Sequence, residues 1–92
     1  MSEVRDNTQL HRYETVVDGV TAFVAYERAP GTITFVHTEV PKELSGRGVG
    51  SLLAKTVLDA ARQDGLKVNP ECPFIAAYIE KHPEYRGLVV KR

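Results

Sequence analysis

Apolar residues, many of them β-branched or aromatic, fill three segments in the first half of the chain and predict β-strands. Asp18-Gly19 and Pro30-Gly31 lie between these segments. The first pair favours a two-residue hairpin, whose central positions need positive φ, and the second suits a type II turn. The pattern therefore predicts a three-stranded antiparallel meander formed by RYETVV (12–17), VTAFVAYERA (20–29) and TITFVHTEV (32–40).

The apolar spacing changes between Gly48 and Gly65, where it predicts a helix. Apolar or small residues recur along one helical face, at Val49, Leu52, Leu53, Val57, Ala60 and Ala61. Gly65 suits the C-terminal stop. LKVNP (66–70) then predicts a short strand. Because β-α-β crossovers are right-handed, this strand should run parallel to residues 32–40.

A second helix is predicted from Pro73, whose missing N–H costs nothing at a first helical position. Its apolar stripe is Phe74, Ile75, Tyr78 and Ile79. The helix should end before Pro83, and the tail YRGLVVKR (85–92) is predicted to add a short edge strand. The resulting order is β-β-β-α-β-α. We therefore expect an α/β fold of the α+β kind, in which a mixed sheet combines an antiparallel meander with one parallel crossover strand.

Composition narrows the class of protein. The 92 residues indicate a single domain spanning 1–92, with the polar residues 1–9 expected to fray. Lys and Arg number 12, as do Asp and Glu, so we expect neither a nucleic-acid nor a membrane partner. One cysteine excludes an intramolecular disulfide. No apolar run approaches the roughly 20 residues that span a bilayer, and the N-terminus lacks a signal-peptide core, so a cytoplasmic location is expected.

The glycine-rich stretch SGRGVG (45–50) lies between the last predicted meander strand and the long helix. The first N–H groups of a helix have no intrahelical partners and carry partial positive charge. Glycines allow close approach of an anion, and Arg47 adds a charged donor. The stretch therefore predicts a phosphate site, with a glycine turn that binds nothing as the alternative. It matches neither the P-loop nor the dinucleotide-binding pattern.

SGRGVG, directly after a strand and before a long helix, resembles the coenzyme A diphosphate loop of the GNAT acetyltransferase superfamily. The superfamily pattern is Gln/Arg-x-x-Gly-x-Gly/Ala. Gly48 and Gly50 match its glycines, whereas Ser45 stands where Gln or Arg is usual. The resemblance covers residues 10–88. The chain is similar to a short, single-domain branch of the superfamily that has a cysteine after the second parallel strand. The segments that carry this similarity are HTEVPKELSGRGVGSLL, LKVNPECPF and YIEKHPEY.

The resemblance implies that the chain uses acetyl-CoA. The diphosphate would be bound by the loop residues Ser45, Gly46, Arg47, Gly48, Val49 and Gly50. The pantetheine arm would lie between the strands 32–40 and 66–69, which should splay apart there. Backbone groups of Val36, Thr38 and Val40 would pair with its amides, as an added strand pairs with a sheet edge. A bulge in this strand would reset which side chains face the ligand.

Three residues are candidates for the chemistry. Cys72 precedes Pro73 and should lie at the helix N-terminus, which favours a thiolate. It is either an acyl-accepting nucleophile, a proton donor to the departing thiolate, or a small buried hydrophobe. His37 and Glu39 lie at i and i+2 on one strand and should share a side. The resemblance implies a base in this strand, and either residue suits that role; each is alternatively structural.

Other side chains are weaker candidates for a role in catalysis. Tyr78 lies six residues after Cys72, and core packing is favoured over proton transfer. His82 and Tyr85 are expected to close the helix and shape the tail. The spacing of Cys72 and the histidines does not fit a metal site.

The leading hypothesis is a coenzyme A-dependent N-acetyltransferase that acts on an amine, carried by a small molecule or a protein lysine. Because the chain is short, either the acceptor site is open or a second subunit completes it, so a monomer and a homodimer both remain open. The alternatives are a non-catalytic acyl-CoA-binding or sensing module and a small interaction domain.

Overall fold

The computed structural model describes residues 3–90 and contains one five-stranded sheet with the strand order β1-β2-β3-β4-β5. The strands are β1 (Arg5–Asn7), β2 (Arg12–Val17), β3 (Val20–Ala29), β4 (Thr32–Glu39) and β5 (Lys67–Pro70). The helices are α1 (Val49–Gln63) and α2 (Pro73–Lys81), with 3-10 helices at Lys42–Leu44 and Pro83–Leu88. The first four strands pair antiparallel, and β4 pairs parallel with β5. The predicted mixed sheet with helices is confirmed.

Both predicted turns of the meander have the backbone that their residues favour. Asp18 and Gly19 have φ of 52° and 77°, as a two-residue hairpin requires. Gly31 has φ of 74°, which places it at the third position of a type II turn. The turns therefore fix the registers of β2 with β3 and of β3 with β4.

The N-terminal segment forms a strand that the sequence analysis missed. Arg5, Asp6 and Asn7 pair with β2 in the register Arg5↔Glu14 to Asn7↔Arg12. The expectation that residues 1–9 fray is therefore wrong for Arg5–Asn7, and residues 1 and 2 lie outside the described part. The sequence of this strand has no apolar alternation that would predict it. Polar contacts hold it instead, since the Asn7 amide donates to Glu14 Oε1 at 3.2 Å.

The predicted edge strand in the tail is also wrong over the described residues. The chain forms the 3-10 helix Pro83–Leu88 instead. Val89 then makes a single parallel bridge with Val68, and the Val90 N–H donates to the Val68 carbonyl at 2.9 Å. Burial of Tyr85 against the core explains the difference, because it holds this segment close to α1.

One hydrophobic core joins the inner face of the sheet to both helices. Its largest fully buried side chains include Phe35 and Ile33 of β4, Leu53 and Leu58 of α1, and Ile75 of α2. Each such side chain contributes about 1.5–3 kcal/mol through its removal from water. The core thereby holds both helices against the sheet, beside the candidate site.

A bulge in β4 changes which of its side chains face the core. Ala25 pairs with His37 but Tyr26 pairs with Phe35, so Val36 is an extra residue. Ile33 and Phe35 are buried, and in a regular strand His37 would share their face. Because of the bulge, His37 is exposed instead.

The parallel strands separate immediately beyond this point. Their pairing ends at Phe35↔Pro70, and the Cys72 N–H donates to the Phe35 carbonyl at 2.8 Å. The chain then enters α2. The part of β4 after Phe35 has no partner on β5. We call this stretch of β4, whose edge β5 leaves unpaired beside the start of α2, the strand gap.

Candidate functional site

The N-terminal end of α1 leaves backbone donors free of intrahelical bonds. The first α-helical hydrogen bond runs from the Leu52 N–H to the Gly48 carbonyl at 3.0 Å, so the N–H groups of Val49, Gly50 and Ser51 precede it. Gly48 caps the helix with φ of 77°, and no side chain caps it. The first turn holds no acidic residue. The positive end of the helix is therefore available to an external anion.

A groove with a volume of about 270 Å³ lies against this helix end. We call it the glycine groove. It is lined by Val40, Leu44, Ser45, Gly46, Gly48, Val49, Gly50, Ser51 and Phe74. The predicted loop residues are thus brought together on one surface, apart from Arg47. The groove also meets the end of β4 at Val40.

Phe74 belongs to this groove, although its sequence pattern assigned it to the buried stripe of α2. Its side chain is 40% exposed, whereas Ile75 and Ile79 of the same stripe are buried. A Cβ atom at Gly50 would lie 2.8 Å from Cζ of Phe74. Gly50 is therefore required for close packing of the Phe74 ring. The glycine pattern in the sequence could not reveal which side chain approaches Gly50.

Arg47 points to a different partner from the one predicted. Its Nη1 donates to Asp18 Oδ2 at 2.7 Å, which joins the glycine loop to the β2–β3 turn. Both side chains are exposed. A bound anion would therefore compete with Asp18 for this guanidinium.

Cys72 lies at the N-cap of α2, at the edge of the strand gap. Its Sγ is 3.0 Å from Oγ1 of Thr38, and either group can donate the hydrogen bond. The residue is 2% exposed and belongs to the core cluster. The contact therefore ties the start of α2 to β4 across the strand gap.

His37 and Glu39 lie together, as their spacing predicts. Nε2 of His37 is 3.0 Å from Oε1 of Glu39, and their side chains are 60% and 53% exposed. The Phe23 ring meets the imidazole edge-on, with centroids 6.1 Å apart. Since neighbouring residues alternate across a strand, this pair lies on the opposite face of β4 from Thr38 and its partner Cys72. The candidate catalytic residues therefore form two groups.

The side chains after α2 have structural contacts. His82 stacks on Tyr78 with centroids 4.0 Å apart. The Tyr85 hydroxyl donates to Asp59 Oδ1 at 2.7 Å, and burial together with this bond raises the pKa of Tyr85 to about 12. A hydrogen bond from Lys55, followed by the one from Tyr85, lowers the pKa of Asp59. Tyr85 therefore anchors the tail on α1.

Within residues 3–90, no cluster of histidine, cysteine and carboxylate side chains could hold a metal ion. Neither helix in this range has the length and apolar character needed to cross a bilayer.

Known proteins resemble this chain in sequence and structure. Protein NATD1 of Xenopus tropicalis is 36% identical over 52 residues, which cover 56% of this chain and 48% of that protein. Human protein NATD1 is 40% identical over 47 residues, or 51% of this chain and 42% of the relative. The matches thus span less than half the length of these relatives.

A solved structure matches over nearly the whole chain. It is the solution structure of a GCN5-like protein from Staphylococcus aureus, and it superposes with a TM-score of 0.75 at 28% identity. The superposition covers 98% of this chain and 89% of that one. The family model for GCN5-related N-acetyl-transferases matches residues 12–88, a range that includes β2 to β5, both helices, the glycine groove and the strand gap. The chain therefore belongs to the GCN5-related N-acetyltransferase family.

Proposed function

We propose that the chain binds acetyl-CoA and transfers its acetyl group to an amine. The observation that carries this proposal is the beginning of α1, where three N–H groups precede the first helical bond and the first turn carries no acidic side chain. Such a helix end favours a diphosphate through both hydrogen bonds and the helix dipole. The residues present therefore fit the phosphate end of coenzyme A.

The diphosphate is proposed to bind to the backbone of the loop and the first turn of α1. The residues involved are Ser45, Gly46, Arg47, Gly48, Val49 and Gly50. Arg47 would exchange its exposed ion pair with Asp18 for one with a phosphate oxygen. Exposed ion pairs contribute little to stability, so this exchange costs the fold little.

The pantetheine arm is proposed to lie in the strand gap. After Phe35, β4 has no partner on β5, so its edge is available to an amide-bearing chain. Thr38 and Val40 are the candidates to present their backbone groups to the arm. Val36, the extra residue of the bulge, would set this register.

The chemistry proposed is direct transfer. The thioester supplies an activated acyl group. The lone pair of the neutral amine forms a C–N bond with its carbonyl carbon, and the C–S bond breaks with its electron pair leaving on sulfur. Glu39, assisted by His37, accepts the proton that the acceptor ammonium must lose. The nitrogen of the new amide loses its remaining extra proton to solvent, and the departing thiolate takes one proton from solvent. Cys72 is proposed to position the strand gap through Thr38, and not to carry the acyl group.

The exposed side of β4 at His37 and Glu39 would receive the acceptor. This open surface is compatible with a protein lysine or a small polyamine. A cytoplasmic location fits both kinds of acceptor. The Ser45 substitution in the loop pattern favours a second candidate, an acyl-CoA-binding module without catalysis, since it removes one side chain that usually assists the diphosphate.

Thiol release from acetyl-CoA in the presence of lysine peptides and spermidine tests this function. We expect turnover, and a loss of about 100-fold in kcat for Glu39→Gln, because general-base catalysis is worth at least that much. Glu43→Gln, which changes an exposed carboxylate in the neighbouring 3-10 helix, is the matched control. Binding without turnover for every amine would favour the module instead. Equal rates for the two variants would exclude Glu39 as the base.

A further inference from the structure

One row of side chains crosses the sheet on the face opposite the helices. Glu39 of β4 pairs with Phe23 of β3. Phe23 pairs in turn with Glu14 of β2, and Glu14 pairs with Arg5 of β1. Because directly opposed residues of neighbouring strands share a face, these four side chains lie on the same side of the sheet. We call this side the outer face.

Arg12 brings a positive charge to the centre of the outer face. Its guanidinium carbon lies 4.5 Å from the centre of the Phe23 ring. The His37 imidazole meets the same ring edge-on, with the ring centres 6.1 Å apart. A single aromatic ring therefore separates a permanent cation from His37 and Glu39, the pair proposed to accept the proton.

The Arg12 guanidinium is held in place and keeps donors for a further partner. Its Nε donates to Glu14 Oε1 at 2.8 Å, and its side chain is 26% exposed. Glu14 also accepts from the Asn7 amide and lies 3.6 Å from Arg5 Nη2. In the part of the chain that the structure describes, Nε is the guanidinium nitrogen of Arg12 that is hydrogen-bonded. Its two Nη groups are therefore available to an acceptor of hydrogen bonds.

The spacing across the outer face suits an amine and an acidic group on one extended peptide. Arg12 and His37 pair with Ala25 from opposite sides, so their backbones lie two strand spacings apart, about 10 Å. The Arg12 side chain covers part of this distance by reaching over Phe23. In an extended peptide, side chains at i and i+2 face the same way and lie about 7 Å apart. A lysine at the proposed base thus places an acidic residue two positions away within reach of Arg12.

Exposure and charge favour a protein acceptor over a small molecule. The side chains of His37 and Glu39 are 60% and 53% exposed, whereas small-molecule sites bury most of the ligand surface. A polyamine would also bring a second ammonium toward Arg12, and like charges repel. An acidic side chain is attracted to the same guanidinium. The outer face is therefore complementary to a lysine in an acidic segment.

We propose that the outer face recognises a protein lysine with an acidic residue two positions away, and that Arg12 selects this acceptor. The lysine amine lies at His37 and Glu39, and its methylene groups contact the Phe23 ring. The acidic side chain accepts charge-assisted hydrogen bonds from the Nη groups of Arg12. This inference rests on the proposed function and names the class of acceptor for the same site.

The rate of thiol release from acetyl-CoA with three peptides tests the inference. The peptides share one length and a single lysine, and they carry Glu, Gln or Arg two residues before and after it. We expect kcat/KM to be about fivefold higher for the Glu peptide than for the Gln peptide, mainly through KM, and lowest for the Arg peptide. In Arg12→Gln the preference for the Glu peptide should fall below about twofold.

Arg28→Gln is the matched control and should retain the preference. Arg28 also lies over an aromatic ring, 5.2 Å from the centre of Tyr26, and it also pairs with a carboxylate, that of Asp6. Tyr26 belongs to the core, so this arrangement lies away from the outer face. Arg12→Met, whose side chain can still pack on Phe23, replaces Arg12→Gln if melting shows that the first variant is unfolded.

The wild-type preference measured at low and high salt is a second test that needs no variant. It should decline as the salt concentration rises, because the attraction between the peptide and Arg12 is screened. Equal kcat/KM for the Glu and Gln peptides, a preference that survives in the folded Arg12 variant or at high salt, or faster turnover of spermidine would overturn the inference. Each of these results would leave the proposed function intact. If acetyl-CoA loses no acetyl group to any peptide or to spermidine, the proposed function fails and the inference falls with it.

Discussion

The hydroxyl oxygen of Thr38 and the sulfur of Cys72 lie 3.0 Å apart, across the point where β4 and β5 separate. One belongs to the strand after the bulge, and the other caps α2. Together with the bond from the Cys72 N–H to the Phe35 carbonyl, this contact fixes the start of α2 against β4. Two contacts between β4 and the start of α2 therefore border the strand gap.

Cys72→Ala should remain folded and active. Loss of a buried sulfur costs about 1–2 kcal/mol of unfolding free energy, which denaturant titration measures. Turnover should persist, because the acetyl group passes directly to the amine. Thr38→Val is the control for loss of the contact between Thr38 and Cys72, since it removes the hydroxyl and preserves the side-chain shape. Mass spectrometry that found acetylated Cys72, combined with an inactive Cys72→Ala, would instead establish a covalent route.

Gly50→Ala should weaken coenzyme A binding more than it weakens the fold. The new Cβ would lie 2.8 Å from Phe74 Cζ, so the exposed ring must move. A double-mutant cycle with Phe74→Leu measures the coupling, which should reach about 0.5–3 kcal/mol in binding free energy. Additive effects would show that the ring and the glycine do not act together.

Asp18→Asn should strengthen coenzyme A binding by up to about fivefold at low salt. The change releases Arg47 from its exposed ion pair, which is worth about 0.2–1 kcal/mol. The hairpin should persist, because Asn-Gly favours the same turn. The gain should disappear at high ionic strength, where exposed charges are screened. An unchanged affinity would mean that Arg47 does not contact the diphosphate.

Stability should decline at alkaline pH because of Tyr85. Burial and the bond to Asp59 raise its pKa from 10.0 to about 12. The folded chain therefore keeps the phenol proton after the unfolded chain has begun to lose it. The resulting stability is complete below pH 10 and is lost as the pH rises toward 12. Tyr85→Phe should flatten this part of the denaturation profile, and an identical slope in the variant would contradict the assignment.

Local sequence signals predicted the parts of the fold that short-range geometry determines. Asp18-Gly19 identified a turn because few other residues adopt positive φ there, and the change of apolar period identified α1. The strand β1 was not predicted, because backbone pairing and a contact with Glu14 hold its polar residues. The structure of the tail was not predicted, because Tyr85 binds the tail to α1, which is distant in sequence.

The candidate site was predicted only in part for the same reason. The glycine loop marked the helix end, and the i, i+2 spacing correctly brought His37 and Glu39 together. The exposure of Phe74 depends on how α2 packs on the first turn of α1, which its apolar stripe does not reveal. The partner of Arg47 lies in a turn 29 residues away and could not be inferred from the loop.

The most direct measurement is the melting temperature of the chain with and without acetyl-CoA, compared between wild type and Gly48→Val. Gly48 has positive φ and open space at its Cβ position, so valine would cost some stability and would project beside the unpaired N–H groups. We predict a clear upward shift for wild type, because the ligand prefers the folded state, and none for the variant. No shift for wild type at saturating acetyl-CoA, or an equal shift in both, would contradict diphosphate binding at the beginning of α1.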